Sequence, residues 1–169
     1  MVRDAPGGDD WTLEPATDRD IDEIMGWFPD ADAVDIWGGP VFRFPFSAQS
    51  FRKDLYLDKM ASWALRRADT ALAAFGQSYE RAGRGHLARL VVNPEMRGQG
   101  AGKLLIQRII AALEASNDYD EYSLFVYRHN EPAYRCYRSL GFGVVDYPED
   151  AAMPDKCFFL TKKITRRKP

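Results

Sequence analysis

The residues best suited to chemistry in this chain are Arg97-Gly98-Gln99-Gly100-Ala101-Gly102 and, further on, Asn130 and Tyr137. The glycine-rich group follows an apolar run, His86-Leu87-Ala88-Arg89-Leu90-Val91-Val92, and a turn, Asn93-Pro94-Glu95. A helical pattern begins directly after it, from Lys103 to Leu113. Strand, glycine-rich turn and helix start together make a place for an anion. The first N–H groups of a helix have no partners within it, and the helix dipole places partial positive charge there. Glycines let those N–H groups approach a phosphate closely. Two other phosphate loops are excluded. A Walker A loop needs a glycine where this chain has Arg97, and a Ser or Thr where it has Leu104. A dinucleotide fingerprint reads G-x-G-x-x-G, whereas this loop reads Gly98-x-Gly100-x-Gly102 and lies past the middle of the chain.

A pattern that fits is Arg/Gln-x-x-Gly-x-Gly/Ala, here Arg97-x-x-Gly100-x-Gly102. It resembles the acetyl-CoA pyrophosphate loop of the GNAT superfamily of N-acetyltransferases. A second motif lies about thirty residues downstream, Asn130-Glu131-Pro132-Ala133-Tyr134 through Tyr137 to Gly141-Phe142. It follows a β-forming run, Glu121 to Arg128, and is similar to the family's segment of Asn, Ala, Tyr and Gly-Phe. Asn130 suits an N-cap, Pro132 the first helical turn and Gly141 the C′ position. The two motifs with their flanking elements span residues 62–163, and the earlier part matches only in layout.

The resemblance implies acetyl transfer from acetyl-CoA to a primary amine of a small molecule or peptide, by direct attack in a ternary complex. Such a transfer needs a neutral amine, a stabilised carbonyl oxygen and a proton for the departing thiolate. By the resemblance, Leu90, Val91 and Val92 hold the pantetheine arm and thioester, with the Val92 N–H as oxyanion donor. Gly98, Gln99, Gly100, Ala101, Gly102 and Lys103 carry the pyrophosphate, with charge added by Arg97. Asn130 contacts the coenzyme arm. Tyr137 stands at the general-acid position; a phenol with pKa near 10 can protonate a thiolate of pKa ~8.5 and keep its own proton at neutral pH. Tyr134, one turn earlier, is the substitute. The glutamate used as base by ribosomal-protein members is replaced by Phe125. The position of the histone-type glutamate is occupied by His86, an even six residues before Val92, and hence on its face in a regular strand. A bulge would break that parity. Glu80 and a water chain are the other bases open. A catalytically silent acyl-CoA-binding module and a protein lysine or N-terminal acetyltransferase remain alternatives.

The elements that must position these residues read as an α+β sandwich in the order βααβββαβαββ, with a mixed central sheet. Trp11 to Glu14 is a strand, and Thr17 or Asp18 caps a helix through Trp27. Residues 30–46 read as irregular, and Ser47 caps a second helix. Three strands follow (62–67, 70–79, 85–92), then a helix (100–116), a strand (121–127), a short helix (131–140) and a hairpin of 142–147 with 157–164. The acceptor site implied by this fold lies between the early helices and the closing hairpin. There Trp37, with Phe42 and Asp35, is expected on a loop lining a pocket that attracts a compact cationic amine.

Composition sets the remaining bounds. With 169 residues, 46% hydrophobic and 28% charged, the chain reads as one soluble domain over residues 11–165. Residues 1–10 are expected to be loose and 166–169 to form a basic tail. A net charge of −2 gives no reason to expect nucleic-acid binding. The two cysteines, Cys136 and Cys157, are too few for a disulfide framework or a zinc site, so no metal is expected. No apolar run approaches the ~18 residues of a membrane span, and the acidic start does not read as a signal peptide. The expected setting is the cytoplasm, with acetyl-CoA as co-substrate and pairing into a homodimer open.

Overall fold

The computed structural model describes residues 10–68 and 71–164. The expected loose start, apart from Asp10, and the basic tail lie outside the described residues. Chain order is β1 (Trp11–Pro15), α1 (Asp18–Met25), α2 (Ala31–Gly38), α3 (Ala48–Asp54), β2 (Ala61–Arg67), β3 (Leu72–Arg81) and β4 (Arg84–Val92). After a 3₁₀ turn (Pro94–Met96) come α4 (Ala101–Ser116), β5 (Glu121–Tyr127), α5 (Glu131–Ser139), β6 (Gly143–Val145) and β7 (Cys157–Lys163). The strands form one sheet in the order β1-β2-β3-β4-β5-β7-β6. The β4–β5 pair is parallel and the others antiparallel, so the sheet is mixed, as the sequence predicts.

Local chemistry sets the helix ends. The Thr17 hydroxyl accepts from the Asp20 N–H while Asp20 accepts from the Thr17 N–H, and Ser47 and Ser50 repeat this reciprocal cap on α3. The sequence reading placed two helices before β2, whereas there are three. The additional one, α2, starts where the Asp30 carboxylate accepts the Ala33 N–H at 2.8 Å. Its acidic residues resembled a solvated loop, but Asp30 is a helix cap.

Two apolar layers cover the sheet. On one face Leu105, Ile106, Ile109 and Leu113 of α4 pack over Ala74, Leu87, Tyr122 and Leu124. On the other, Ile21, Ile24, Phe28, Val34, Phe51 and Leu55 cover Ala64, Leu72 and Phe75. Strand β3 lies between the layers and is buried on both faces from Leu72 to Ser78. Each fully buried large side chain contributes about 1.5–3 kcal/mol, so both layers hold the central strands rigidly.

Candidate active site

Strands β4 and β5 pair at Gly85–Tyr122 and His86–Ser123 and then separate, although β4 runs on to Val92 and β5 to Tyr127. The β5 edge turned away from β4 stays paired with β7 throughout. A wedge therefore opens between Leu87–Val92 and Leu124–Tyr127. On the other side of β4, Arg89 and Leu90 together oppose Gly76, a β-bulge in which Arg89 takes a left-handed φ of 54°. A Cβ on Gly76 would lie 2.7 Å from the Leu90 side chain, so only glycine fits opposite this bulge. Beyond it, the Asn93 N–H donates to the Ala73 carbonyl at 2.8 Å. The Val92–Ala74 pair is then a non-hydrogen-bonded one, and the Val92 N–H and C=O point away from β3 into the wedge.

The glycine-rich turn closes this end of the wedge. Gly98 and Gly100 have φ of 76° and 83°, and a Cβ on either would meet nothing within 4 Å. Backbone conformation, not space, requires glycine there. Gly100 is the N-cap of α4 and supplies no side-chain cap, which leaves the first N–H groups of the helix unspent. Residues 97–100 and Lys103 are exposed. Arg67 Nη1 donates to Gln99 Oε1 at 3.0 Å and ties the turn to β2. Ala101 is buried, and Gly102 sits against Val92, where an added Cβ would touch Val92 Cγ2 at 3.4 Å. Lys103 lies near enough to Cys136 of α5 for its charge to act on that thiol.

Helix α5 begins at Asn130 and stops before Gly141, whose φ of 94° suits the C′ position. Asn130 stands at the N-cap, but its side chain makes no capping hydrogen bond, contrary to the capping role the sequence suggested. Its amide is thus not spent on the helix. The Tyr137 ring meets Phe142 edge-on at 6.5 Å, and part of its surface remains exposed. Burial of the phenol pushes its pKa well above the usual tyrosine range, so it stays protonated at neutral pH. Tyr134 tilts against Phe158, at 5.2 Å.

Several expected residues stand elsewhere. The bulge breaks the parity on which His86 was placed. His86 opposes Tyr79 and shares a face with Ala88 and Val91, not with Val92. It is 2% exposed, its Nδ1 is 2.8 Å from Ser123 Oγ, and its ring lies between Tyr79 and Phe125. Burial, and next the Arg81 charge, lower its pKa to about 3, so it is neutral at pH 7 and a weak base. Glu80 is at the hairpin end of β3, opposite Gly85 and beside Tyr119, away from the wedge.

Trp37 and Phe42 do not line a loop pocket. Trp37 is in α2, with its ring stacked on Phe28 (4.4 Å) and Phe51 (5.6 Å), and Phe42 is buried against it at 4.9 Å. The Trp37 indole N–H donates to the Arg89 carbonyl at 2.8 Å, which fastens α2 to the bulge. Asp35, two residues earlier, reaches the wedge. Tyr127 at the open end of β5 donates its hydroxyl to Asp35 Oδ1 at 3.3 Å. Burial first, and then the Asp35 charge, push the Tyr127 pKa up to about 12. Asp35, Tyr127, Arg128, His129, Asp155 and Lys156 line a cavity of about 390 Å³. Sequence reasoning did not single out Tyr127, His129 or Arg89. Tyr127 and His129 closely precede the Asn130 motif; the role of Arg89 follows from the bulge, which no local pattern announces. Among the described residues no group of three His, Cys, Asp or Glu side chains is placed to hold a metal.

Residues 31–142 match the model of the acetyltransferase (GNAT) family. The fold is similar to that of a spermidine N-acetyltransferase from Vibrio cholerae in complex with CoA and spermine, with TM-score 0.71, 16% identity, and 91% of this chain and 95% of that one covered. It is also similar to a ribosomal-protein-S18-alanine N-acetyltransferase from Escherichia coli (TM-score 0.67, 20% identity, 94% and 96% covered). An aminoglycoside acetyltransferase in complex with coenzyme A matches at TM-score 0.69 and 18% identity, with 90% and 94% covered.

Proposed function

The chain belongs to the acetyltransferase (GNAT) family, and on that premise we propose that it transfers the acetyl group of acetyl-CoA to a primary amine of a small molecule or peptide. The observation that carries this reading is the wedge between β4 and β5 with an uncapped, glycine-led helix start at its end. The pyrophosphate rests on the N–H groups of Gly98 to Lys103, with Arg97 adding charge. The pantetheine arm lies along Leu90, Val91 and Val92 and meets the Asn130 amide. The related structures with bound CoA support the same donor.

The neutral amine attacks the thioester carbonyl carbon, so a C–N bond forms while the carbonyl oxygen gains charge. The Val92 N–H, aimed into the wedge, stabilises that charge. The C–S bond then breaks, and Tyr137 gives its proton to the thiolate, regaining one from solvent or from the product nitrogen. His86 is buried and neutral, so the amine loses its proton to water in the cavity bounded by Asp35, Tyr127 and His129. The amine approaches from that side, between α2 and the loop before β7.

A thiol-release assay across an amine panel tests the reading. Tyr137→Phe is expected to lower kcat at least tenfold with little change in the KM for acetyl-CoA, as loss of a general acid does. Tight acetyl-CoA binding with no turnover on any amine would identify a silent binding module instead.

A further inference from the structure

Among the described residues no carboxylate forms an ion pair with Arg89. Arg43, Arg52, Arg66, Arg81, Arg84 and Arg135 each pair with a carboxylate, whereas Arg67, Arg128 and Arg138, like Arg89, donate to neutral acceptors. The three hydrogen bonds of Arg89 all come from Nη1 and go to the Leu55 carbonyl (3.0 Å), Gln77 Oε1 (2.8 Å) and Met60 Sδ (3.5 Å). Asp54, the carboxylate that acts on it electrostatically, is held through both oxygens by Arg43. The guanidinium lies over the Phe42 ring at 4.8 Å and the Tyr56 ring at 5.8 Å. It is half-buried, and the adjacent Tyr56 is exposed, so a ligand can reach it.

A desolvated cation without a counter-ion is costly, and a ligand anion removes that cost. Among the described residues the edge of the guanidinium carrying Nε and Nη2 receives no hydrogen-bond acceptor, and that edge fits the two oxygens of a carboxylate. Its place separates that carboxylate from the α4 side of the sheet. Arg89 is the bulge residue next to Leu90, and its side chain lies on the sheet face opposite α4, away from the helix that holds the coenzyme. Helix α2 reaches both the cavity beside β5, through Asp35, and the backbone of Arg89 on β4, through Trp37. We propose that the acceptor is an amine that also bears a carboxylate, held through that carboxylate by Arg89. This rests on the acetyltransferase reading above.

The test compares kcat/KM for amino acids and short peptides with free carboxylates against their carboxamides, over several spacings between amine and carboxylate. Wild type is expected to prefer the carboxylate at least tenfold in one or more pairs, as a charge-assisted bidentate contact does. In Arg89→Gln the ratio falls toward one whatever the absolute rate, and Arg89→Lys keeps part of it. Should Arg89→Gln fail to fold, wild type still decides: the carboxylate lacking the amine competes with the acceptor, and its carboxamide does not. Turnover of every pair within twofold, or a ratio unchanged in Arg89→Gln, overturns the role of Arg89 alone. Coenzyme binding with no turnover on any amine overturns the acetyltransferase reading and this inference with it.

Discussion

His86 and Tyr137 show how burial, the largest cause in each case, holds two titratable side chains in their neutral forms. Tyr137 is kept protonated, as the proposed role of proton donor requires, and His86 is kept neutral with a pKa of about 3. The unfolded chain returns His86 to about 6.5, so between these values the unfolded state binds the extra proton. Stability from the neutral imidazole is complete above about pH 6.5 and is lost as pH falls toward 3, at up to about 1.4 kcal/mol per pH unit. Urea titrations of wild type and His86→Asn between pH 7 and 4 should therefore converge: the advantage of wild type shrinks as acid is added. A gap that stays constant over that range would show that His86 is not held neutral by the fold. The same neutrality makes His86 a poor base at pH 7, so exchanging it should alter stability more than the pH dependence of turnover.

At the level of elements, the bulge in β4 and its tie to α2 shape the site. Trp37→Phe keeps the stacked ring and removes the N–H bonded to the Arg89 carbonyl. That should cost about 1 kcal/mol of stability, with a drop in kcat larger than the change in KM for acetyl-CoA, because the bulge sets the direction of the transfer strand. An unchanged kcat in a stably folded variant would detach α2 from the chemistry. This coupling also marks where the sequence stopped being legible. The glycine-rich turn, α4, β5 and the Asn130–Gly141 helix were readable because glycine, proline and apolar period act within a few residues. The parity of His86 with Val92 was not, since one inserted residue opposite Gly76 reverses it. Trp37 was misread for a related reason. Its neighbours Gly38, Gly39 and Pro40 suggested a loop, while the contacts that hold it, Phe28, Phe51 and Arg89, are distant in sequence.

The molecule as a whole divides its labour between the two faces of one sheet. In the proposed reading helix α4 and the glycine-rich turn hold the coenzyme, while α1 to α3 cover the other face and reach the proposed acceptor cavity through Asp35. The faces share only the central strands, so coenzyme binding should depend on one layer and be nearly independent of the other. A ligand that binds only the folded state stabilises it by about 2.7 kcal/mol at a hundred times its Kd. For a chain of this size that corresponds to a rise of about 5–10 °C in Tm. Gly100→Val forces a β-branched residue into a φ of 83° at the start of α4, where no packing is disturbed. It should remain folded and lose most of the acetyl-CoA shift. Ile24→Val thins the opposite layer by one methylene, at about 0.5–1.5 kcal/mol, and should lower Tm while keeping the full shift. Differential scanning with and without acetyl-CoA separates the two outcomes. If Ile24→Val also lost the shift, the layers would be coupled through β3, and the coenzyme site could not be assigned to the α4 face alone.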